Sequence, residues 1–472
     1  MRTSALFCCA AALVLSPLVG AQSAVPDPRA GEVSTARHFE ALKGDPIRLR
    51  AFLREMPKGG DLHNHLTGAI YAERYLQWAA EDGQCLAMAT MSIVVGPCDG
   101  KATIAASAVV QNLVLFDQAV DAMSMRHWDV SRNGHDQFFA AFGKFGPPSD
   151  RTGDMLAEAA SNAAAERVSY LELMLTPYAG ATALGRSVAS GPDLAQWRAR
   201  LQAAGLTERV VKPARASLDA AEARLHESLR CASDKPDPGC QVTIRYIAQV
   251  GRARTPQEVF AQMVAWFELV EADSRVVSLN LVQPEDDPVS VRDFSLHMSM
   301  LDYLHRLHPG VPITLHAGEL ADGLVPPSAL RSHVRDSIRI GHARRIGHGT
   351  AAVLEDDPFG LLRELSERQV LVEVAMSSAA QILGVSGARH PLKTFLAANV
   401  PVALVTDDMG VSRSTHTLEF MRAVTDHGLD YPTLKRLVRN SIEYSFADAT
   451  TKTRLRADLE RAFAEFERRP PA

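Results

Sequence analysis

The chain has 472 residues, of which 46% are hydrophobic and 22% charged, a globular profile that excludes wholesale disorder, collagen-like repeats and a polytopic membrane protein. A formal charge of -5 and an aromatic content of 6% provide neither a basic footprint nor a stacking platform for nucleic acid. A small-molecule ligand is expected, and the length suits one large α/β barrel.

Residues 1–21 read as a secretory signal. Arg2 gives a positive start, residues 5–18 are almost wholly apolar, and Val19-Gly20-Ala21 place small residues at a cleavage site. The apolar run is shorter than the ~20 residues of a membrane span. The expectation is export, to the periplasm or beyond, with no membrane attachment after signal removal. The mature chain keeps Cys85, Cys98, Cys231 and Cys240, and an oxidising compartment favours disulfides. Three connectivities are open; the local one, Cys85–Cys98 with Cys231–Cys240, closes two short loops worth ~3 kcal/mol each in the chain-entropy model. No Cys-x-x-Cys supports a cysteine zinc site.

Residues 22–55 form an N-terminal helical extension, with a polar Pro-containing stretch over 25–32, a helix ending at Leu42 and a second helix over 47–55. Residues 56–472 follow as one domain. Short β-branched apolar runs recur at 61–66, 170–175, 242–248, 276–282, 312–315, 345–347, 370–375 and 401–406. Most are continuously apolar, as strands buried on both faces should be. Helical patterns fill the gaps at 104–125, 217–229, 259–270, 294–307, 359–368, 391–398 and 433–446. Thr255-Pro256-Gln257-Glu258 opens one of them with an N-cap, a first-turn proline and a glutamate three residues on. The alternation predicts a (β/α)8 TIM barrel, although a doubly wound open sheet shares the same run count. The intervals after the first and second strands are too long for simple crossovers. Each holds one cysteine couple and is read as a helical or loop insertion.

The polar groups of interest fall at the C-terminal ends of the runs, where barrel active sites form. His63 and His65 alternate on the first run, so both imidazoles can face the barrel mouth. Alone, an H-x-H pair is a weak signal and more often a polar strand end. His316 ends the fifth run and Asp407 the eighth; singly, these read as a core histidine and part of a solvated loop pair. Together, at one end of regularly spaced strands, the four residues point to one Zn²⁺ per chain with a position open to water. Such an ion lowers the pKa of its water to ~7. Glu319 lies three residues past a proposed ligand and serves as proton donor. His348 holds the hydroxide or stabilises developing charge, and Asp408 accepts a hydrogen bond from water or substrate. His226, His297, His305, His308 and His333 read as structural.

At this point the residues resemble a family, the adenosine deaminases of the amidohydrolase superfamily. The matching motifs are Met56-Pro-Lys-Gly-Gly-Asp-Leu-His-Asn-His-Leu, His316-Ala-Gly-Glu319, Arg345-Ile-Gly-His-Gly349 and Thr406-Asp-Asp408, in family order. Export, local cysteines and Gly410-Val-Ser-Arg413 make the chain look most like the secreted growth-factor-like branch and its bacterial relatives. The resemblance implies zinc on His63, His65, His316 and Asp407. It also implies N1 protonation by Glu319 as hydroxide attacks C6, orientation of the hydroxide by His348, and an N7 contact from Asp408. The substrate is then a purine nucleoside, adenosine or 2′-deoxyadenosine, converted to inosine or its deoxy form plus ammonia.

Some positions depart from the family pattern and bear on sugar recognition and substrate range. Thr67 stands where an aspartate usually contacts the sugar 5′-hydroxyl. Gln283 replaces the glycine at ring N3, Ala375-Met-Ser-Ser378 replaces Cys-Pro-x-Ser, and Met409 replaces a common proline. Thr67, Gln283 and Ser378 are nonetheless the candidate substrate contacts. Phe138, Phe139 and Phe142 are candidates for an apolar pocket wall, though such a stripe is more often a core face.

Of four rival readings, the residues disfavour two and leave two open. Binuclear relatives bridge two ions with a lysine on the fourth strand, and run 276–282 has none. The unrelated zinc nucleobase deaminases pair H-x-E with P-C-x-x-C; His38-Phe-Glu40 fits the first half, but the second does not occur. Deamination of another adenine-containing compound and a secreted nucleoside-binding or signalling protein without turnover both stay open. The helical extension is a candidate homodimer contact.

Overall fold

All eight apolar runs become strands in the computed structural model of the chain, which describes residues 28–128, 134–189, 191 and 193–468. The expected signal segment, 1–21, lies outside the described residues. The strands are β1 (Gly59–His65), β2 (Val168–Leu175), β3 (Thr243–Gly251), β4 (Val276–Val282), β5 (Thr314–Ala317), β6 (Arg345–His348), β7 (Leu371–Val374) and β8 (Val402–Leu404). Strands β1 to β4 pair in parallel in chain order, as do β5 to β8. Parallel bridges Leu279–Ile313 and Asn64–Asp407 join the two halves. The sheet therefore closes on itself as a (β/α)8 barrel, and the open-sheet alternative falls.

Burial explains the continuous runs. Every residue of β1 and of β4 is buried, because one face lines the barrel and the other meets helices. The helix Pro256–Ala272 starts as its sequence implies, with the Thr255–Glu258 capping box formed. Gly347 in β6 is required by its surroundings: a Cβ there would lie 2.7 Å from Cε1 of His63.

The first insertion differs from expectation. Residues 104–125 do not form one helix. Thr103–Ala105 joins Cys85–Ala87 and Ser92–Val94 in a small antiparallel sheet, and Asn112 caps a separate helix, Leu113–Ala122. The β-branched start of that stretch is better used opposite Leu86, and the asparagine starts a new helix instead of continuing an old one. The second insertion carries the helix Lys212–Ser228, which starts earlier than expected. The local disulfides Cys85–Cys98 and Cys231–Cys240 are both formed.

The extension folds as α1 (Pro28–Leu42) and α2 (Pro46–Glu55). Its apolar face meets the last two helices of the same chain, with Phe52 5.3 Å from Phe39 and 5.0 Å from Phe466 between ring centres. Among the described residues no helix is long and apolar enough to cross a membrane.

Candidate active site

Strand geometry gathers the predicted donors at one point. His63 and His65 alternate on β1, His316 lies in β5, and Asp407 follows β8. The Asp407 N–H donates to His63 O at 2.9 Å and Asp407 O accepts from His65 N at 3.1 Å. The residue that closes the barrel thus also delivers a carboxylate to it. His63 Nε2 and His65 Nε2 are each 3.1 Å from His316 Nε2 and each 3.3 Å from Asp407 Oδ1. One donor atom each from His63, His316, His348 and Asp407 lie within 4.8 Å of one another, and His65, Asp407 and Asp408 form a second such group.

The far side of each ring is anchored. His63 Nδ1 is 2.8 Å from Glu373 Oε2, and His316 Nδ1 is 2.9 Å from Asn280 Oδ1. A proton on each Nδ1, donated to those acceptors, leaves the Nε2 lone pairs facing one another and the Asp407 carboxylate. Gln249 sets its side-chain amide 2.9 Å from His65 Nδ1. Ser378 Oγ donates to Asp407 Oδ2 at 2.7 Å, while the buried Oδ1 has no hydrogen-bond partner.

The donor set therefore fits a divalent cation, whose charge would relieve the crowded lone pairs and satisfy the bare oxygen. Electrostatics agree. Burial pushes His65 down to about 3 and His316 well below the ordinary histidine value. Burial also opposes charge on His63, but Asp407 and Glu373 outweigh it and hold the group up at about 10. Positive charge is thus favoured at His63, which lies between the two carboxylates, and on its Asp407 side a bound cation would take the place of the Nε2 proton.

Beside this cluster lies a cavity of about 230 Å³, bordered by His65, His316, Asp407, Glu319 and Asp408. Burial, then the Asp407 charge, pushes Glu319 and Asp408 well above the ordinary carboxyl range. Glu319 Oε1 is 3.6 Å from His348 Nε2. Burial pulls His348 down to about 4, and its Nε2 is buried without a hydrogen-bond partner, as is Asp408 Oδ1. Asp408 packs so closely on Gly68 that a Cβ on Gly68 would sit 1.6 Å from its Oδ1.

Thr67 and Gln283 border the cavity as expected, and Phe138, Phe139 and Phe142 form its apolar wall rather than a purely internal face. Gln283 has a left-handed backbone (φ 79°), and its Oε1 accepts from Ala253 N at 3.0 Å. Ser378 corrects the expectation of a substrate contact. It is fully buried, is not among the residues that border the cavity, and its hydroxyl is engaged by Asp407.

Sequence reasoning missed the supporting residues. The one signal that Asn280 and Glu373 carry is that each is a polar residue inside an apolar run, 276–282 and 370–375. Glu285 accepts from the backbone N–H groups of Gly318 (3.2 Å) and Glu319 (2.8 Å), fixing the turn that presents Glu319. Arg252 donates to the carbonyls of His316 (3.1 Å) and Gln283 (2.9 Å), and no local pattern announced it.

The family model for adenosine deaminase matches residues 149–462. The adenosine deaminase of Enterococcus faecalis is 35% identical over 154 residues, 32% of this chain and 42% of that protein. The chain therefore aligns with less than half the length of the curated relatives it matches. Among solved structures, the Arabidopsis N6-mAMP deaminase superposes with a TM-score of 0.58 at 20% identity, covering 87% of this chain and 99% of that one. An amidohydrolase from Burkholderia ambifaria with bound Zn superposes with a TM-score of 0.55 at 18% identity, covering 89% and 93%. At these identities the likeness to solved structures shows the fold.

Proposed function

The chain belongs to the adenosine deaminase family, and from that premise we propose that it hydrolyses the C6–amine bond of adenosine or 2′-deoxyadenosine, releasing ammonia. The observation that carries this is the meeting of three imidazole Nε2 atoms and the bare Asp407 Oδ1 at 3.1–3.3 Å beside a cavity containing Glu319. His63, His65, His316 and Asp407 would hold one zinc ion, the metal suited to three histidines and a carboxylate. When bound, the ion supplies the Lewis acidity that lets water lose a proton near neutral pH.

The chain's own groups supply the remaining proton chemistry. Glu319, kept neutral by burial, donates its proton to ring N1 and thereby makes C6 electrophilic. His348, kept uncharged by burial, accepts a hydrogen bond from the attacking water. One water proton replaces the one that Glu319 gives up. The other ends on the departing amine through Asp408, whose carboxyl contacts N7. The water oxygen stays on C6 and the nitrogen leaves as ammonia, so the atoms balance.

The cavity favours an uncharged substrate. Among the described residues that border it none is lysine or arginine, whereas Glu319, Asp407 and Asp408 carry carboxyl groups. A phosphate there would find no lysine or arginine counter-ion among the described residues. The phenylalanine wall suits the apolar edge of a purine nucleoside. An exported location belongs to the same reading, and two formed disulfides fit an oxidising compartment.

Ultraviolet absorbance tests the proposal with adenosine, 2′-deoxyadenosine, adenine and AMP as substrates. The nucleosides should convert, a chelator should abolish conversion, and added zinc should restore it. Zinc-loaded protein that leaves every nucleoside unchanged overturns the enzyme reading in favour of a binding module.

A further inference from the structure

At the amino-terminal end of the barrel, opposite the proposed active site, lies a larger cavity of about 690 Å³ between the starts of β6 and β7 and the segment 443–452. Its border carries four cations, Arg344, Arg345, Arg368 and Lys452, against one acid, Glu443. Two of the cations are already neutralised. Arg345 meets Glu172 at 2.6 Å and Glu373 at 2.5 Å inside the barrel, and Arg368 meets Glu364 at 3.0 Å. The Glu443 carboxylate pairs with Arg456.

Arg344 and Lys452 remain. Among the described residues neither has an acidic partner. Arg344 is exposed and lies 5.6 Å from the centre of the Phe446 ring, and Lys452 Nζ donates to the Glu443 carbonyl at 2.8 Å. Burial pulls Lys452 below the ordinary lysine value; Glu443 and Glu172 oppose this, and Arg344 and Arg345 add to it. A second cavity of about 170 Å³ shares Gln369 and Tyr444 with the first and adds Arg436, which also has no acidic partner among the described residues. Some exposed arginines elsewhere are paired, as Arg331 is with Asp356 at 2.7 Å and Arg439 with Glu460 at 2.7 Å, while others, such as Arg48 and Arg50, lie unpaired among the described residues, on open helix surface rather than in a cavity. Concave walls concentrate the field of such uncompensated charges, and the volume is that of a small-molecule site.

We infer that the larger cavity binds a small polyanion, a ligand with at least two phosphate or carboxylate charges, held by Arg344 and Lys452, with Arg436 adding positive field from the adjoining cavity. Charge-assisted contacts from a guanidinium and an ammonium supply the recognition. The site is independent of the deaminase reading, because none of its residues borders the catalytic cavity.

The test is calorimetric titration of the full zinc-loaded protein at constant ionic strength. Glycerol 2-phosphate probes the phosphate arm and succinate the carboxylate arm, and neither binds zinc tightly. Wild type and the control R48A/R50A, which removes two exposed arginines from α2, should bind one or both probes saturably at one per chain. R344A/K452A should bind ~10-fold or more weakly with unchanged melting; which probe binds identifies the anion. The inference is overturned if neither probe saturates at millimolar concentration. It is also overturned if R344A/K452A binds as wild type does, or if the control loses as much affinity as the double variant.

Discussion

The barrel buries charge at both ends and treats it in opposite ways. Near the base, Arg345 touches Glu172, Glu373, the Tyr444 carbonyl at 3.1 Å and the Phe446 ring at 3.9 Å. Glu172 also accepts from Tyr170 OH at 2.7 Å and Phe446 N at 2.6 Å. At the mouth, Asp407 Oδ1, Asp408 Oδ1 and His348 Nε2 are buried with no hydrogen bond. Gln283, His348 and Asp407 there also have left-handed backbones. A buried unpaired polar atom costs ~1–3 kcal/mol, and a left-handed non-glycine residue ~1–2 kcal/mol. The base uses charge to fix the barrel, whereas the mouth leaves valences open for a cation and a substrate. Glu373 joins the two, with one oxygen on Arg345 and the other on His63.

Substitutions that exchange these behaviours test the contrast. The largest effect is expected at the mouth from Glu319→Gln, which keeps the shape but removes the transferable proton. Turnover of adenosine should fall ~10²–10⁴-fold, with zinc content and melting temperature unchanged. A drop smaller than tenfold would remove Glu319 from the chemistry. At the base, Arg345→Met should leave Glu172 and Glu373 buried and uncompensated, and denaturant titration should show a loss of ~3–5 kcal/mol. If that variant is as stable as wild type, the base does not fix the barrel through charge.

Lys58 sharpens the picture because its buried ammonium is held by three carbonyls rather than by a carboxylate. Its Nζ donates to Glu166 O at 2.9 Å and to Arg54 O and Met56 O at 3.3 Å. Burial pulls the group down to about 8, against Glu166 and Glu55. Between that pH and the unfolded lysine value the unfolded chain binds the extra proton, so stability rises with pH across the window. At 1.36 kcal/mol per unit the gain of wild type over Lys58→Met should reach about 2–3 kcal/mol, read from denaturant titrations at pH 8 and above 10. A flat difference would mean that the folded chain keeps Lys58 charged.

How much of this was readable in the sequence differs between the same two regions. His63 and His65 were legible by their alternation, and His316 and Asp407 because each lies just past an apolar run, 312–315 and 401–406. The strand of only three residues at Thr103–Ala105 is too short for a period to register, so its apolar residues read as helix. The base network was invisible in another way. Glu172, Arg345 and Glu373 sit on strands far apart in sequence, and only closure of the barrel brings them together. Ser378 was placed correctly near the site, but its hydroxyl turns inward to Asp407.

Glu373→Gln is the smallest change and the most telling, because it acts where the two regions meet. The amide keeps the volume and can still accept the His63 Nδ1–H through its oxygen, so the ring stays in place. What is lost is the negative charge that, with Asp407, draws positive charge toward His63. Removing such an outer partner of a ligating histidine lowers metal affinity ~10–100-fold, measurable by competition with a fluorescent zinc chelator. The same variant deprives Arg345 of one of its two carboxylates, so denaturant stability should fall as well. Weaker zinc binding and lower stability together would mark Glu373 as the joint between the ends. Lower stability with unchanged zinc affinity would confine it to the base and leave the mouth to organise its own donors.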